Sequence, residues 1–264
     1  MKKILTFLRY VLDYLKFGEF YFFWTSIKYV LFKSVKPKRR IYNSSLGTFL
    51  TRKGTLDFQF ANYAYEWNVK RFFLENYKNY NVFLDIGSNI GTYCFLLAPK
   101  GLRCYAFEPV KENHEALLIN VMLNKLEEQI KVFQFGLGAE IMDADFIFET
   151  MNTGASHLAE IHTYIENKGE IGKKEKVKIK TLDSIVDHIK LAKEDKVLLK
   201  IDAEGMEFDV LQGARKFISQ HPEFLIIMEI KHSDFSRISD FFAGICTVNY
   251  QPIDEENVAI IKKN

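Results

Sequence analysis

The stretch Val82-Phe83-Leu84-Asp85-Ile86-Gly87-Ser88-Asn89-Ile90-Gly91, running on into the apolar residues up to Leu97, decides the fold. A short apolar run closed by a carboxylate, then a glycine turn, then a helical pattern is the opening of a strand-turn-helix unit. The same rhythm repeats downstream. Arg103 to Phe107 reads as a second strand, Glu112 to Leu126 as a helix and Lys131 to Phe135 as a third strand. Lys196 to Ile201 and Phe224 to Ile230 supply two more buried strands, separated by a helix near Phe208 to Ser219. Apolar strands alternating with helices predict an α/β fold, a doubly wound and mostly parallel sheet covered on both faces.

Three segments stand outside that rhythm. Gly138 to Lys180 is long, polar and glycine-containing, and is expected to be a substrate loop or an insertion into the sheet. Upstream, Tyr63 to Tyr77 reads as a helix with Trp67, Phe72, Phe73 and Leu74 inward, and Ile41 to Phe60 as a hairpin. The first residues are rich in Phe, Tyr and Trp and read as helices that pack on the catalytic part or on a second subunit. Lys33-Ser34-Val35-Lys36-Pro37-Lys38-Arg39-Arg40 reads as a linker. The expected organisation is a helical N-terminal extension over residues 1–45 and a catalytic domain over 46–264.

The glycine turn narrows the ligand. Backbone N–H groups at such a turn approach a ligand closely, and Gly87 and Gly91 offer that geometry with Ser88 and Asn89 between them. The dinucleotide fingerprint needs G-x-G-x-x-G, whereas Asp85, Gly87 and Ile90 occupy the three positions. A carboxylate at Asp85 repels a pyrophosphate and attracts the ammonium group of an amino-acid cofactor such as S-adenosylmethionine. The next strand ends in Ala106-Phe107-Glu108-Pro109, where Glu108 is placed to accept hydrogen bonds from both hydroxyls of a ribose. Asn113 is expected to cap the following helix or contact this region.

These residues resemble the FkbM family of S-adenosylmethionine-dependent methyltransferases, first on Val82 to Gly91 and then on Phe107-Glu108-Pro109 with Asn113. Leu199-Lys200-Ile201-Asp202-Ala203-Glu204-Gly205-Met206-Glu207, continuing through Val210-Leu211-Gln212-Gly213-Ala214, is similar to the family's K-I-D-x-E-G-x-E segment. The likeness extends to Gly54-Thr55-Leu56-Asp57, Tyr65-Glu66 and Met228-Glu229-Ile230, while the aromatic N-terminus lies outside it. Ser88 departs from the alanine frequent in the family. The resemblance implies a Rossmann-like class I methyltransferase architecture, S-adenosylmethionine as cofactor, and O-methylation of a sugar or secondary-metabolite hydroxyl. A sugar or nucleotide-sugar acceptor in bacterial surface-glycan biosynthesis is the favoured expectation.

Methyl transfer to oxygen calls for a base at the acceptor hydroxyl. Asp202 and Glu204 follow one buried strand and Glu229 closes another, so all three are expected at the carboxyl edge of the sheet, with Asp202 the first candidate. His232 and His157 are alternative bases. Asp202 and Glu229 are also the donor types of a divalent cation that would bind acceptor hydroxyls. Lys200, at the end of a buried strand, demands a carboxylate partner such as Asp202 or Glu229. Two other classes stand beside the methyltransferase reading: a nucleotide-dependent oxidoreductase or epimerase, which lacks its glycines here, and a binding protein whose methyltransferase fold has lost catalysis.

Composition sets the remaining bounds. The 264 residues hold 36 Lys and Arg against 34 Asp and Glu, giving no electrostatic case for nucleic acid. Cys94, Cys104 and Cys246 lack metal or redox spacing and fit a reduced, cytoplasmic setting. Arg9, Asp13 and Lys16 interrupt the first apolar run, and Glu19 and Lys28 the second. Neither a secretion signal nor a transmembrane span is expected; peripheral membrane contact and self-association through the N-terminal segment are left open.

Overall fold

The computed structural model describes residues 12–32, 39–148, 157–158, 173–231 and 234–263. The chain opens with α1 (Phe20–Phe32), the hairpin strands β1 (Arg40–Ser44) and β2 (Gly47–Thr51), and the helices α2 (Asp57–Phe60) and α3 (Trp67–Asn76). The unit anticipated at the glycine turn follows as β3 (Val82–Ile86), α4 (Thr92–Leu97), β4 (Arg103–Phe107), α5 (Lys111–Asn124) and β5 (Ile130–Phe133). Four strands, β6 (Gly136–Leu137), β7 (Met142–Phe148), β8 (His157–Leu158) and β9 (Lys173–Lys180), then lead to α6 (Leu182–Ile185). The last part comprises β10 (Val197–Ile201), α7 (Glu207–Gly213), α8 (Arg215–Gln220), β11 (Phe224–Glu229), α9 (Phe235–Ala243), β12 (Asn249–Pro252) and β13 (Asn257–Lys262).

The main sheet has seven strands in the order β12-β13-β11-β10-β3-β4-β5. From β5 through β11 every pairing is parallel, and β13 runs antiparallel to both of its neighbours. Alternation along the buried strands sends side chains to two cores. Val82, Leu84 and Ile86 with Val197, Leu199 and Ile201 face the core beneath α6 to α9. Phe83, Leu198, Leu225 and Ile227 face the core shared with α3, α4, α5 and the N-terminal segment. The strand order reverses at β3, where β4 lies on one side and β10 on the other, so a crevice opens at their carboxyl ends.

The segment 138–180 is organised as sheet rather than loop where it is described. β7 pairs antiparallel with β9 across seven residues from Met142 to Phe148, and β6 joins the other side of β9 in a four-stranded sheet. The helix expected as one element near Phe208 to Ser219 is two, α7 and α8, divided at Ala214.

Helix α5 explains how the hairpin is held. Its inward stripe carries Asn113, Asn120 and Asn124, residues that ordinarily weaken a helix interior. Asn124 accepts from the Thr48 amide at 2.8 Å and donates to the Thr48 carbonyl at 2.7 Å, and Asn120 accepts from the Leu50 amide at 2.7 Å. The asparagines thus satisfy the edge of β2, which would otherwise present unpaired backbone groups. Residue 45 falls in the turn between β1 and β2, and its amide donates to the buried Glu19 carboxylate at 2.8 Å. Tyr14 and Phe22 are buried in the same core as Phe83 and Leu117. Phe17 packs edge-on against Trp67 with ring centroids 4.8 Å apart. Among the described residues no helix is long and apolar enough to cross a membrane.

Because Phe22 is fully buried in the shared core, Phe22→Ala is expected to lower the unfolding free energy by about 3–5 kcal/mol. The loss should appear within a single urea transition followed by both fluorescence and circular dichroism; a separate early transition would place the N-terminal segment outside the cooperative unit.

Candidate active site

Gly87 sits where β3 meets the end of β10. It has φ +80°, and a Cβ there would stand 1.8 Å from the Asp202 carbonyl oxygen, so only glycine lets the two strand ends approach. The Gly87 and Ser88 amides both donate to the Phe107 carbonyl at 3.1 Å, which ties the turn to β4. Ser88 Oγ is buried beside the cleft and has no hydrogen-bond partner among the described residues. Gly91 plays another part. A Cβ there would meet Leu117 Cδ1 at 2.3 Å, so its glycine lets α5 pack against the turn, and Gly91 is absent from the cleft wall.

Glu108 is buried at the end of β4 with its carboxylate clamped from several sides. The amide of Asn89, itself at φ +47°, donates to Oε2 at 2.8 Å, and the Val110 amide donates to Oε1 at 3.0 Å. Asn113 Nδ2 donates to Oε1 at 3.4 Å, while Asn113 Oδ1 accepts from Arg52 Nη1 at 2.8 Å. Arg52 in turn forms a two-pronged pair with buried Asp57, both bonds at 2.8 Å. Asn113 is therefore an orienting residue for Glu108 more than a helix cap. Burial lifts the Glu108 carboxyl to about 7 against the pull of its amide donors. A carboxylate has about four acceptor positions, two on each oxygen, so with Oε1 taken by Val110 and Asn113 it is Oε2 that keeps capacity for a further donor.

The floor of the cleft is a balance of buried charge. Lys200 on β10 lies in register with Asp85 on β3, and its ammonium donates to Asp202 Oδ2. The same ammonium stands 4.7 Å from the Tyr93 ring centroid, and the Tyr93 hydroxyl donates to Glu66. Burial by itself would push the Lys200 ammonium down; the carboxylates of Asp202, Glu66 and Asp85 outweigh it and hold it above the usual lysine range. Asp85 is raised to about 6 by burial, offset by Lys200 and by the Cys94 thiol donating at 3.4 Å. Lys70 completes the layer from α3, donating to the Tyr65 carbonyl and pushed down to about 7 by burial.

Asp202, Glu204 and Glu229 line one wall together with Lys231 and Glu256. Glu204, in the left-handed region at φ +46°, is raised to about 9 by burial and by the charges of Asp202 and Glu229. Glu229 is raised to about 8 by burial and by Asp202. Glu207 is buried and accepts from the Ala203 and Gly205 amides at 3.1 and 3.0 Å, so it closes the turn that presents Asp202 and Glu204. Phe146 of β7 and Ile179 of β9 complete the opposite wall.

The structure thus gathers Asp85, Gly87, Ser88, Asn89, Glu108, Asn113, Asp202, Glu204 and Glu229 around one cleft. His232 lies outside the described residues; His157 is in β8, paired in register with Ile147. Among the described residues no group of three or more His, Cys, Asp and Glu side chains is arranged to hold a metal ion, so the pairing of Asp202 with Glu229 as cation ligands finds no such set. Sequence reasoning passed over Tyr93, Lys231 and Glu256. Tyr93 reads as helix core, and the last two owe their place to strand pairing between distant segments, since the Ile230 amide donates to the Glu256 carbonyl at 2.7 Å.

Residues 85–251 match the family profile described as the Methyltransferase FkbM domain. A curated relative, the hexuronic acid methyltransferase AglP of Haloferax volcanii, is 26% identical over 164 residues, which are 61% of this chain and 61% of the relative. The structure of a methyltransferase FkbM from Methylobacillus flagellatus KT superposes with a TM-score of 0.47 at 18% identity, covering 69% of this chain and 44% of that one.

Folding here raises the Glu204 and Glu229 carboxyls, so the folded protein holds protons that the unfolded chain releases. Their contribution is best below about pH 4.5 and is lost as pH rises through about 8 and 9. Glu204→Gln combined with Glu229→Gln is therefore expected to gain stability over the parent as pH climbs from about 5 to 9. Urea unfolding at a series of pH values checks this, and parallel curves for the two proteins would contradict it.

Proposed function

The chain belongs to the FkbM methyltransferase family, and from that premise we propose that it is an S-adenosylmethionine-dependent O-methyltransferase for a hydroxyl of a sugar or nucleotide-sugar. The observation that carries the cofactor assignment is Glu108. A buried carboxylate, oriented by two amides and Asn113 and left with acceptor capacity on Oε2, fits a hydroxyl of a ribose. The unpartnered Ser88 Oγ beside the cleft, next to the Gly87 turn, fits a polar cofactor drawn close to backbone. Asp85 would meet the cofactor's ammonium end from the cleft floor. When bound, S-adenosylmethionine supplies an electrophilic methyl group on a sulfonium.

The residues of this chain then have to hold the acceptor hydroxyl and take its proton. Asp202 Oδ2 is already engaged by the Lys200 ammonium, which suits Asp202 to orienting a hydroxyl. Glu229, lifted to about 8, is the proposed base, receiving the proton in its ionised form at a carboxylate oxygen at the rim of β11, so turnover should rise as pH climbs toward about 8. Glu204 shares that charge cluster and modulates it. The relative's acceptor is a hexuronic acid by its name. Here the wall carries Glu66, Asp202, Glu204, Glu229 and Glu256. A neutral, hydroxyl-rich sugar suits that wall better than an acidic one. A cytoplasmic reaction is part of the same proposal.

Calorimetric titration with S-adenosylhomocysteine should give binding in the micromolar range, roughly 8 kcal/mol, with no heat from NAD. Glu108→Ala should weaken it by about a hundredfold, the loss of one charge-assisted hydrogen bond to the ribose. Ribose hydroxyls are accepted best by the ionised carboxylate, so affinity should strengthen as pH rises through about 7 and lose that dependence in Glu108→Gln. Binding of NAD in place of S-adenosylhomocysteine would overturn the assignment.

With a neutral sugar acceptor found by screening radiolabelled methyl transfer, Glu229→Gln should lower kcat by about 10²–10⁴ while cofactor affinity stays unchanged. A Glu229→Gln enzyme of parental kcat would move the base elsewhere.

A further inference from the structure

Helix α1 has one face in the protein core and another that is exposed among the described residues. Phe22 and Glu19 point inward, Phe22 into the aromatic layer with Tyr42 and Glu19 onto Ser45. The outward stripe, at spacings of four and three to four residues, is Phe20, Trp24, Lys28, Leu31 and Phe32. Its apolar members are 61%, 58%, 68% and 71% exposed, and Leu12 just upstream is 66% exposed. Large aromatic side chains at such exposure, clustered on a single helix, are a poor surface for water and mark a surface made for something else.

Charge decides what that partner is. Residues 1–40 contain ten Lys and Arg and only two acids, Asp13 and Glu19, leaving 26 Lys and Arg against 32 acids in the other 224 residues. The near-neutral total therefore hides a strongly polarised chain, cationic at its aromatic N-terminus and anionic elsewhere. Of the two acids Glu19 is buried and hydrogen-bonded by Ser45, and Asp13 is partly buried, while Lys16, Lys28, Arg39 and Arg40 are exposed, Lys28 within the stripe itself. A second copy docking through this same face would bring two cationic surfaces together, which costs rather than gains. An anionic lipid surface supplies both missing partners, negative headgroups for the cations and an acyl boundary for Trp24 and the phenylalanines.

We propose that α1 docks this protein onto the surface of an anionic lipid bilayer, with Phe20, Trp24, Leu31 and Phe32 entering the headgroup boundary and the flanking Lys and Arg residues facing the lipid phosphates. The inward face stays in the core, so docking needs no unfolding of the helix. The helix lies along the surface, since it is 13 residues long and a spanning helix needs about 20. Neither signal suffices alone: the apolar stripe gives insertion, and the cations give attraction that salt screens.

The test is cosedimentation of the full chain with vesicles of phosphatidylcholine alone and of phosphatidylcholine with one quarter phosphatidylglycerol. Binding is expected to the anionic vesicles, at least about tenfold above the neutral ones, and to fall at least about fivefold when salt is raised from about 0.1 M to 0.5 M. Trp24→Ser with Leu31→Ser and Phe32→Ser, all at exposed positions, should lower binding about tenfold or more while the urea midpoint stays at the parent's value. Equal binding to both vesicle types, no binding, or a triple variant that binds like the parent would overturn the proposal. So would a solution mass showing a dimer that the triple variant reduces to a monomer, because the stripe would then be covered by a second copy.

Discussion

A buried lysine holds the centre of this molecule together. Lys200 stands between Asp85 on the adjacent strand and Asp202 two residues on, at the point where the sheet reverses its order. Two carboxylates at neighbouring strand ends, with Glu66 close behind them, would repel one another in a site that water barely reaches. The ammonium makes that crowding tolerable and fixes where Asp202 points, while Cys94 and Tyr93 hold Asp85 and Glu66. The close approach of Gly87 to the Asp202 carbonyl then follows, since β3 and β10 are drawn together at the end where the cleft forms. An ion pair of this kind contributes little net stability against apolar packing, but the removal of any one member leaves the others uncompensated. Its worth here is geometric.

The second constraint comes from outside the central sheet. The hairpin β1-β2 belongs to no part of the parallel architecture, yet through Arg52 and Asp57 it reaches Asn113 and so Glu108. The asparagine stripe of α5 is what keeps it there, binding the β2 edge on one side and the Ile90 carbonyl of the glycine turn on the other. A polar stripe in a buried helix face gives up apolar contact, and what it gains is a fixed distance between hairpin, turn and carboxylate. That arrangement ties the N-terminal third of the chain to the cleft: the aromatic segment packs on the hairpin, the chain leaving the hairpin carries Arg52, Arg52 holds Asn113, and Asn113 holds Glu108.

On the wall formed by Asp202, Glu204 and Glu229 the carboxyls differ in how they are held. Glu207 is consumed in closing its own turn, and Asp202 is engaged by Lys200, whereas Glu204 and Glu229 are left raised by burial and mutual repulsion. One cleft therefore holds a charge-fixed side near the glycine turn and a proton-labile side near β11. That division follows from burial and neighbours rather than from residue type, since every group concerned is an Asp or a Glu.

The sequence by itself determined the things that depend on short range. Apolar runs punctuated by Gly87, Gly91 and Pro109 set the strand and helix order and the parallel sheet, and with them the placing of Asp85 and Glu108 at neighbouring strand ends on one cleft. Local pattern also carried the K-I-D-x-E-G-x-E segment, because its turn is closed by its own Glu207. Other features were decided only by the tertiary structure. The Gly91 position serves packing against Leu117, the described residues after Gly138 pair as β7 and β9, and Tyr93, Lys231 and Glu256 reach the cleft from elements that carry no local signal. The physical reason is the same in each case. Periodicity reports which face of an element is apolar, but which distant backbone satisfies an asparagine, and which carboxylates share one ammonium, depend on distances that exist only after the sheet has closed.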